Sequence, residues 1–313
     1  MLKSSEFDDA AYAAQYKAVE ECFLNYKSRM SFSGARFNYF KEFRPKPSDV
    51  VLLSPLKCGS TWTQQIMHGL RSRGNMDFDD INRMAPVLEL ALDDGYDIHG
   101  DQPYSPRCFK VHLCWEDRPK GHKYIIVIRD PKDSLVSLHE FLQGWLVPDD
   151  TNLDIFAKVF YVHHSKDVFP SVHDAIASWW PHRLDPDTLW LHYEDLKAHL
   201  PAVVELIAEF MGFDTGDREL LDIATKQASY EFMKAHEDKF RTELRGVSTA
   251  TNKGPSKVNK GVGNRKHLLT EATNLCMDED WKKFVQPVTG FSNYSDMRDH
   301  INREMGRPWA VLK

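Results

Sequence analysis

Lys57, Cys58, Gly59, Ser60 and Thr61 stand together between a short apolar run, Val50–Leu53, and a stretch that reads as a helix. Their types suit an oxyanion. Gly59 permits a close turn, and the hydroxyl of Ser60 or Thr61 can cap a helix start. Such a start gathers unpaired N–H groups and partial positive charge, and Lys57 adds a full charge beside it. A phosphate is the natural guest. The order differs from that of a nucleoside-triphosphatase loop, in which the lysine follows the last glycine and an earlier glycine opens the turn. Three more polar residues, His112, Arg129 and Tyr193, each stand at or just past the end of another apolar run.

Those runs must position the chemistry. Residues 50–53, 107–112, 124–128 and 188–193 read as strands, the first and third as strands buried on both faces. Helical patterns lie between and around them, over residues 8–29, 60–73, 84–92, 132–145, 153–163, 172–180 and 195–211. Alternating strands and helices predict one α/β domain spanning residues 1–313, a doubly wound, mostly parallel sheet with helices on both faces. In such sheets ligands sit beyond the carboxyl ends of the strands, where Lys57, His112, Arg129 and Tyr193 would converge. Residues 1–48 read as an N-terminal helix and loop. Residues 236–266 read as a mobile lid, since a long basic Gly-rich stretch within an acidic chain suits closure over an anion.

Bulk properties exclude several classes. The formal net charge is -6, which argues against a nucleic-acid binder. The five cysteines, Cys22, Cys58, Cys108, Cys114 and Cys276, are irregularly spaced and contain no C-x-x-C, so neither a disulfide framework nor a structural metal is expected. The N-terminus lacks an apolar signal core, and no apolar run approaches the roughly 18 residues of a membrane span, so a cytoplasmic protein is expected.

In motif order and spacing the chain resembles the cytosolic sulfotransferases, which use 3′-phosphoadenosine-5′-phosphosulfate (PAPS) and release the bisphosphate PAP. The segment 57–62 is similar to the family's 5′-phosphosulfate loop, and residues 127–137 resemble its 3′-phosphate segment. Lys110-Val111-His112-Leu113 resembles its catalytic Lys-Thr-His-Leu, Tyr193-Glu194-Asp195-Leu196 its Tyr-Glu-Asp-Leu, and Asn259-Lys260-Gly261 its Arg-Lys-Gly. The resemblance implies sulfuryl transfer from PAPS to a hydroxyl or amine of a small molecule. It implies His112 as general base, Lys57 at the leaving phosphate oxygen, and Lys110 at the sulfuryl oxygens. Arg129, Ser137, Lys260 and Gly261 would hold the 3′-phosphate. Cys58, Gly59, Ser60 and Thr61 would wrap the 5′-phosphate. Trp62 and Tyr230, with Ser229 and Tyr193 nearby, would flank the nucleotide.

The chain also departs from the pattern. Pro55-Leu56 stands where the family has Tyr-Pro, and Ala228 replaces a threonine. Asn259 replaces the lid arginine, for which Arg265 is a substitute. The family's short C-terminal dimer motif is not recognisable, so the oligomeric state stays open. Residues 30–40, 84–106, 143–163 and 236–252 would line the acceptor site. Trp115, Phe141, Trp145 and Phe160 are candidate walls. His139, Glu140, Asp149 and Asp150 favour a polar or cationic acceptor. The competing readings are a P-loop-type kinase or NTPase with Asp130 on magnesium, and a nucleotide-binding protein without catalysis.

Overall fold

The computed structural model describes residues 9–30, 33–143, 145–161, 169–243, 253–258 and 265–310. Four strands carry the site: β1 (Val50–Leu53), β2 (Cys108–Val111), β3 (Lys123–Ile128) and β4 (Thr188–His192). They pair in parallel in the order β2-β1-β3-β4. β1 therefore lies beside both the strand that follows it and the strand after that, and the winding reverses there. This is the switch point at which open α/β sheets bind ligands. All four residues of β1 are fully buried, as an apolar run in a parallel sheet requires.

The helices in chain order are α1 (Asp9–Met30), α2 (Gly34–Glu42), α3 (Ser60–Ser72), α4 (Ile81–Met84), α5 (Pro131–Leu142), α6 (Leu153–Phe156), α7 (Val172–Trp179), α8 (Tyr193–Ala198) and α9 (Leu200–Met211). They continue with α10 (Arg218–Gln227), α11 (Tyr230–Ala235), α12 (Glu271–Asp280), α13 (Gln286–Thr289) and α14 (Tyr294–Glu304). One face of the sheet packs on α3, α9 and α10 through Ile66, Leu70, Val204, Ile207 and Ala224. The other packs on α7 and α14 through Ile176, Trp179, Met297 and Ile301. Helices thus cover both faces, as expected.

Some elements differ from the sequence expectation. The helix over 84–92 is instead α4, a break at Pro86, and a single turn at Leu88–Leu90. Pro86 cannot extend a helix, and its carbonyl instead accepts from Lys110 N at the sheet edge (2.8 Å). The helix over 195–211 is two helices broken at His199, since Pro201 suits only the first turn of the second. Within 236–266 a turn buries Phe240 completely, and β5 (Arg241–Glu243) pairs antiparallel with β6 (Lys253–Ser256). Part of this segment is therefore built into the core. Asn259, Lys260, Gly261 and residues 244–252 lie outside the described residues.

Candidate active site

The loop after β1 forms the floor of the site. Lys57 (φ 63°) and Gly59 (φ 104°) both adopt left-handed backbone, which turns the chain sharply into α3. A Cβ at position 59 would meet Tyr193 Cδ2 at 3.0 Å, so only glycine fits there. Gly59 itself is the N-cap of α3 and no side chain caps the helix. The expectation that Ser60 or Thr61 caps it is therefore corrected. Both occupy the first helical turn, and the N–H groups of that turn have no intrahelical acceptor. This leaves a donor-rich concavity for an anion. Cys58 is buried, and its thiol reaches Leu56 O (3.6 Å) and Ser134 Oγ (3.7 Å). Burial pushes that thiol up to about 12, so it remains neutral.

Arg129, after β3, is 5% exposed. Its guanidinium lies 4.3 Å over the Tyr193 ring, Nη1 donates to Lys57 O (3.4 Å), and its buried Nε has no partner. A buried donor left unpaired costs about 1–3 kcal/mol, so this group is prepared for an absent acceptor. Ser137 is partly buried two turns along α5. Asp130 caps α5 through Lys132 N (2.9 Å) and pairs with Lys266 (2.5 Å). Glu194 accepts from Asp130 N (3.2 Å) and from Tyr294 Oη (2.7 Å), which ties this corner to α14.

Trp62 Nε1 donates to Ala228 O (2.7 Å), and the indole stands edge-on to Tyr193 at 5.6 Å. Trp62 and Tyr230 both pack against the small core of Phe78, Ile81, Met233, Phe240 and Val258. Ser229 caps α11 by accepting from Phe232 N (3.2 Å). Arg265 opens a helical turn at Arg265–Leu268.

Beyond β2, His112 is 6% exposed and its Nδ1 meets Ser54 O at 2.5 Å. A carbonyl only accepts, so Nδ1 carries the proton and Nε2 keeps its lone pair. Burial, then the charge of Lys110, lowers the imidazole to about 3 and holds it neutral. Glu89 accepts the His112 backbone N–H and fixes the end of β2. Lys110 donates to Gln64 Oε1 (3.2 Å) and Asn82 Oδ1 (3.3 Å). Lys57 and Lys110 are both lowered to about 7, by burial first and then by the charge of Lys257. Lys57 Nζ stands 4.0 Å over the Phe141 ring. A rim that crowds its own cations calls for an anion.

Gln64, Asn82 and Glu89 were not identified from sequence as members of this rim, and Phe141, expected as an acceptor wall, lies under Lys57. Glu89 carried a signal, a carboxylate inside the apolar run Val87-Leu88-Glu89-Leu90-Ala91.

Next to this rim lies a small apolar cleft. Phe23 and Tyr26 of α1, Pro55 and Leu56, Leu138 of α5, and Phe160 line it. Phe169, also on its wall, stands edge-on to His112 at 5.2 Å. Several expected acceptor residues lie elsewhere. Trp115 is buried against Tyr124, stacked on His182 at 4.1 Å with Arg118 at 3.3 Å. His139 is buried and bonded to Thr151 O (2.7 Å). Trp145 stands edge-on to Phe141. Glu140, Asp149 and Asp150 are exposed and line no part of the cleft.

A family model described as the sulfotransferase domain matches residues 47–302. Mouse (Mus musculus) sulfotransferase 1B1 is 29% identical over 262 residues, covering 80% of this chain and 86% of that protein. Mouse sulfotransferase 6B1 is 29% identical over 290 residues, covering 88% and 90%. Among solved structures, mouse sulfotransferase SULT7A1 complexed with PAP superposes with a TM-score of 0.61 at 23% identity, covering 86% of this chain and 93% of that one. Retinol dehydratase in complex with androsterone and inactive cofactor PAP gives 0.63 at 19% identity, covering 79% and 84%.

Proposed function

The chain belongs to the sulfotransferase domain family, and from that premise we propose that it transfers the sulfuryl group of PAPS to the hydroxyl of a small, largely apolar acceptor. The observation that carries this reading is the rim itself. Lys57, Lys110, the buried unpaired Nε of Arg129 and the uncapped start of α3 share one sheet rim with a neutral His112, beside an apolar cleft.

The residues present fit the donor. Its two phosphates supply the anions that Arg129 and the α3 N-terminus lack, and its activated sulfuryl group supplies the chemistry. Arg129 and Ser137 hold the 3′-phosphate, while the N–H groups of Gly59, Ser60 and Thr61 hold the 5′-phosphate. Trp62 and Tyr230 flank the adenine. His112 Nε2 takes the acceptor's proton as the new O–S bond forms. Lys57 leaves the Phe141 face to meet charge that grows on the leaving phosphate oxygen, and Lys110 meets the sulfuryl oxygens. Positioning and fixed charge do most of the work, as in phosphoryl transfer.

The kinase reading has less support. Asp130 is engaged with Lys132 N and Lys266, which leaves it poorly placed to take a metal. Thermal stabilisation separates the readings, since a ligand of the folded state raises the melting temperature. PAP without metal should raise it by several degrees. A rise with ATP and magnesium and none with PAP would overturn the proposal.

A further inference from the structure

Lys110 is held at both ends. Its backbone N–H donates to Pro86 O (2.8 Å), and Val87 forms a parallel bridge to it. Its ammonium donates to Gln64 Oε1 (3.2 Å) and to Asn82 Oδ1 (3.3 Å). The two amides are in turn locked to each other and to the chain. Gln64, fully buried in α3, donates through Nε2 to Ala85 O (2.7 Å) and to Asn82 Oδ1 (3.3 Å). Asn82 Nδ2 donates to Asp80 Oδ1 (3.0 Å), which also accepts Asn82 N (2.9 Å). Chemistry fixes both amide orientations, because an ammonium only donates and a carbonyl or carboxylate only accepts. Gln64 and Asn82 belong to none of the motifs that carry the resemblance.

The partners of the ammonium are neutral. A carboxylate in their place would compete with an arriving anion for the charge of Lys110, whereas an amide oxygen orients the ammonium and leaves its charge in place. The carboxylates nearby are engaged with other donors, Asp80 with Asn82 and Glu89 with the His112 N–H. An ammonium has three donors. Two are taken, and among the described residues no third bond is made. Gln64 lies one turn along α3 from the N–H groups that would receive the 5′-phosphate, so one helix sets both the phosphate and the lysine. We propose that Gln64 and Asn82 are positioning residues for the transfer step, holding Lys110 by two donors so that the third meets a sulfuryl oxygen. This inference rests on the reading of the chain as a PAPS-dependent enzyme. It makes the helix that starts at the phosphate loop also the element that sets the distance from 5′-phosphate to sulfuryl group.

A double-mutant cycle tests this, since a residue that acts through Lys110 has nothing to act on once Lys110 is gone. Gln64→Met, Lys110→Met and the double variant would be compared with the wild type for PAP affinity and for single-turnover transfer from PAPS to a phenol that the wild type sulfates. Gln64→Met should lower the transfer rate by about tenfold to hundredfold, with PAP affinity within about threefold, because PAP lacks the sulfuryl group. In the Lys110→Met background the same change should cost less than about threefold. Asn82→Ala, at a half-buried position, should follow the same pattern, and it carries the test if the buried Gln64 variant does not fold. An equal loss of rate with and without Lys110 would overturn the inference. So would a fall in PAP affinity as large as the fall in rate, which would assign the two amides to the phosphate cradle or to the fold. A wild-type protein that binds PAP but transfers nothing from PAPS would instead sink the underlying functional reading, and this inference with it.

Discussion

His112, the proposed base, shows how far the neighbours of a side chain set its chemistry. Imidazole in water is partly protonated near neutrality, and a protonated ring cannot act as a base. Here Ser54 O selects the tautomer, and burial, then the charge of Lys110, opposes protonation. Glu89 fixes the backbone from which the ring projects. Glu89 is itself raised to about 7 by burial, although the His112 N–H bond works against that rise. We predict that Glu89→Ala destabilises the protein by about 1–3 kcal/mol in urea unfolding, because it orphans a buried N–H. PAP affinity should be nearly unchanged, since no phosphate contact is lost, while the rate of transfer falls with the misplaced imidazole. A parallel fall in PAP affinity would show that Glu89 supports the phosphate cradle instead.

At the scale of elements, the β1–loop–α3 unit was legible because its signals are local. An apolar run, a proline, a glycine and a change of periodicity each act within a few residues. The same holds for β3 and α5, where Asp130 and Pro131 mark the helix start by chemistry alone. The misread elements depend on distant partners. The 84–92 segment has helical spacing, yet Pro86 and the sheet edge at Lys110 prevent a continuous helix. The hairpin of β5 and β6 was hidden because its strands are polar and its anchors, Phe240 and Val258, are isolated apolar residues. The loop gives the sharpest mutational test at this scale. Gly59→Ala places a Cβ against Tyr193 at a backbone angle that L-residues rarely adopt. Such strain costs on the order of 1–3 kcal/mol at a residue, and the loop can relieve it only by moving. PAP affinity should fall by at least about tenfold with far-UV circular dichroism unchanged. Retained affinity would mean that the left-handed turn does not shape the anion site.

For the molecule as a whole, the charge pattern matters more than any pair. The chain carries a formal net charge of -6, yet it gathers Lys57, Lys110 and Arg129 on one rim. Its pH behaviour follows. Lys57 and Lys110 sit at about 7 in the folded protein, below the usual 10.5 of a lysine. Between these limits the unfolded chain holds more protons, so these lysines penalise folding fully below pH 7, and the penalty fades as pH rises toward 10.5. Anion binding reverses the preference and draws protons in. PAP affinity should therefore weaken as pH rises above 7, by up to about tenfold per unit for each lysine that titrates. Calorimetry in buffers of different ionisation enthalpy should record proton uptake at pH 8. No uptake would show that the lysines are already charged in the free protein. The acceptor was the least legible feature. The cleft takes residues from α1, the loop after β1, α5 and the turn after α6, which no spacing rule connects. The acids Asp149 and Asp150 drew attention in the sequence but face water in the fold.

Under the proposed function this rim moves a sulfuryl group with His112 as base. The direct measurement is transfer from radiolabelled PAPS to a panel of phenols, alcohols and amines, run with the wild type and with His112→Ala. A labelled sulfate ester on an apolar phenol or alcohol is expected with the wild type. The variant should lose about 10²–10⁴-fold in rate, with PAP binding retained. Transfer at an undiminished rate by His112→Ala would contradict it.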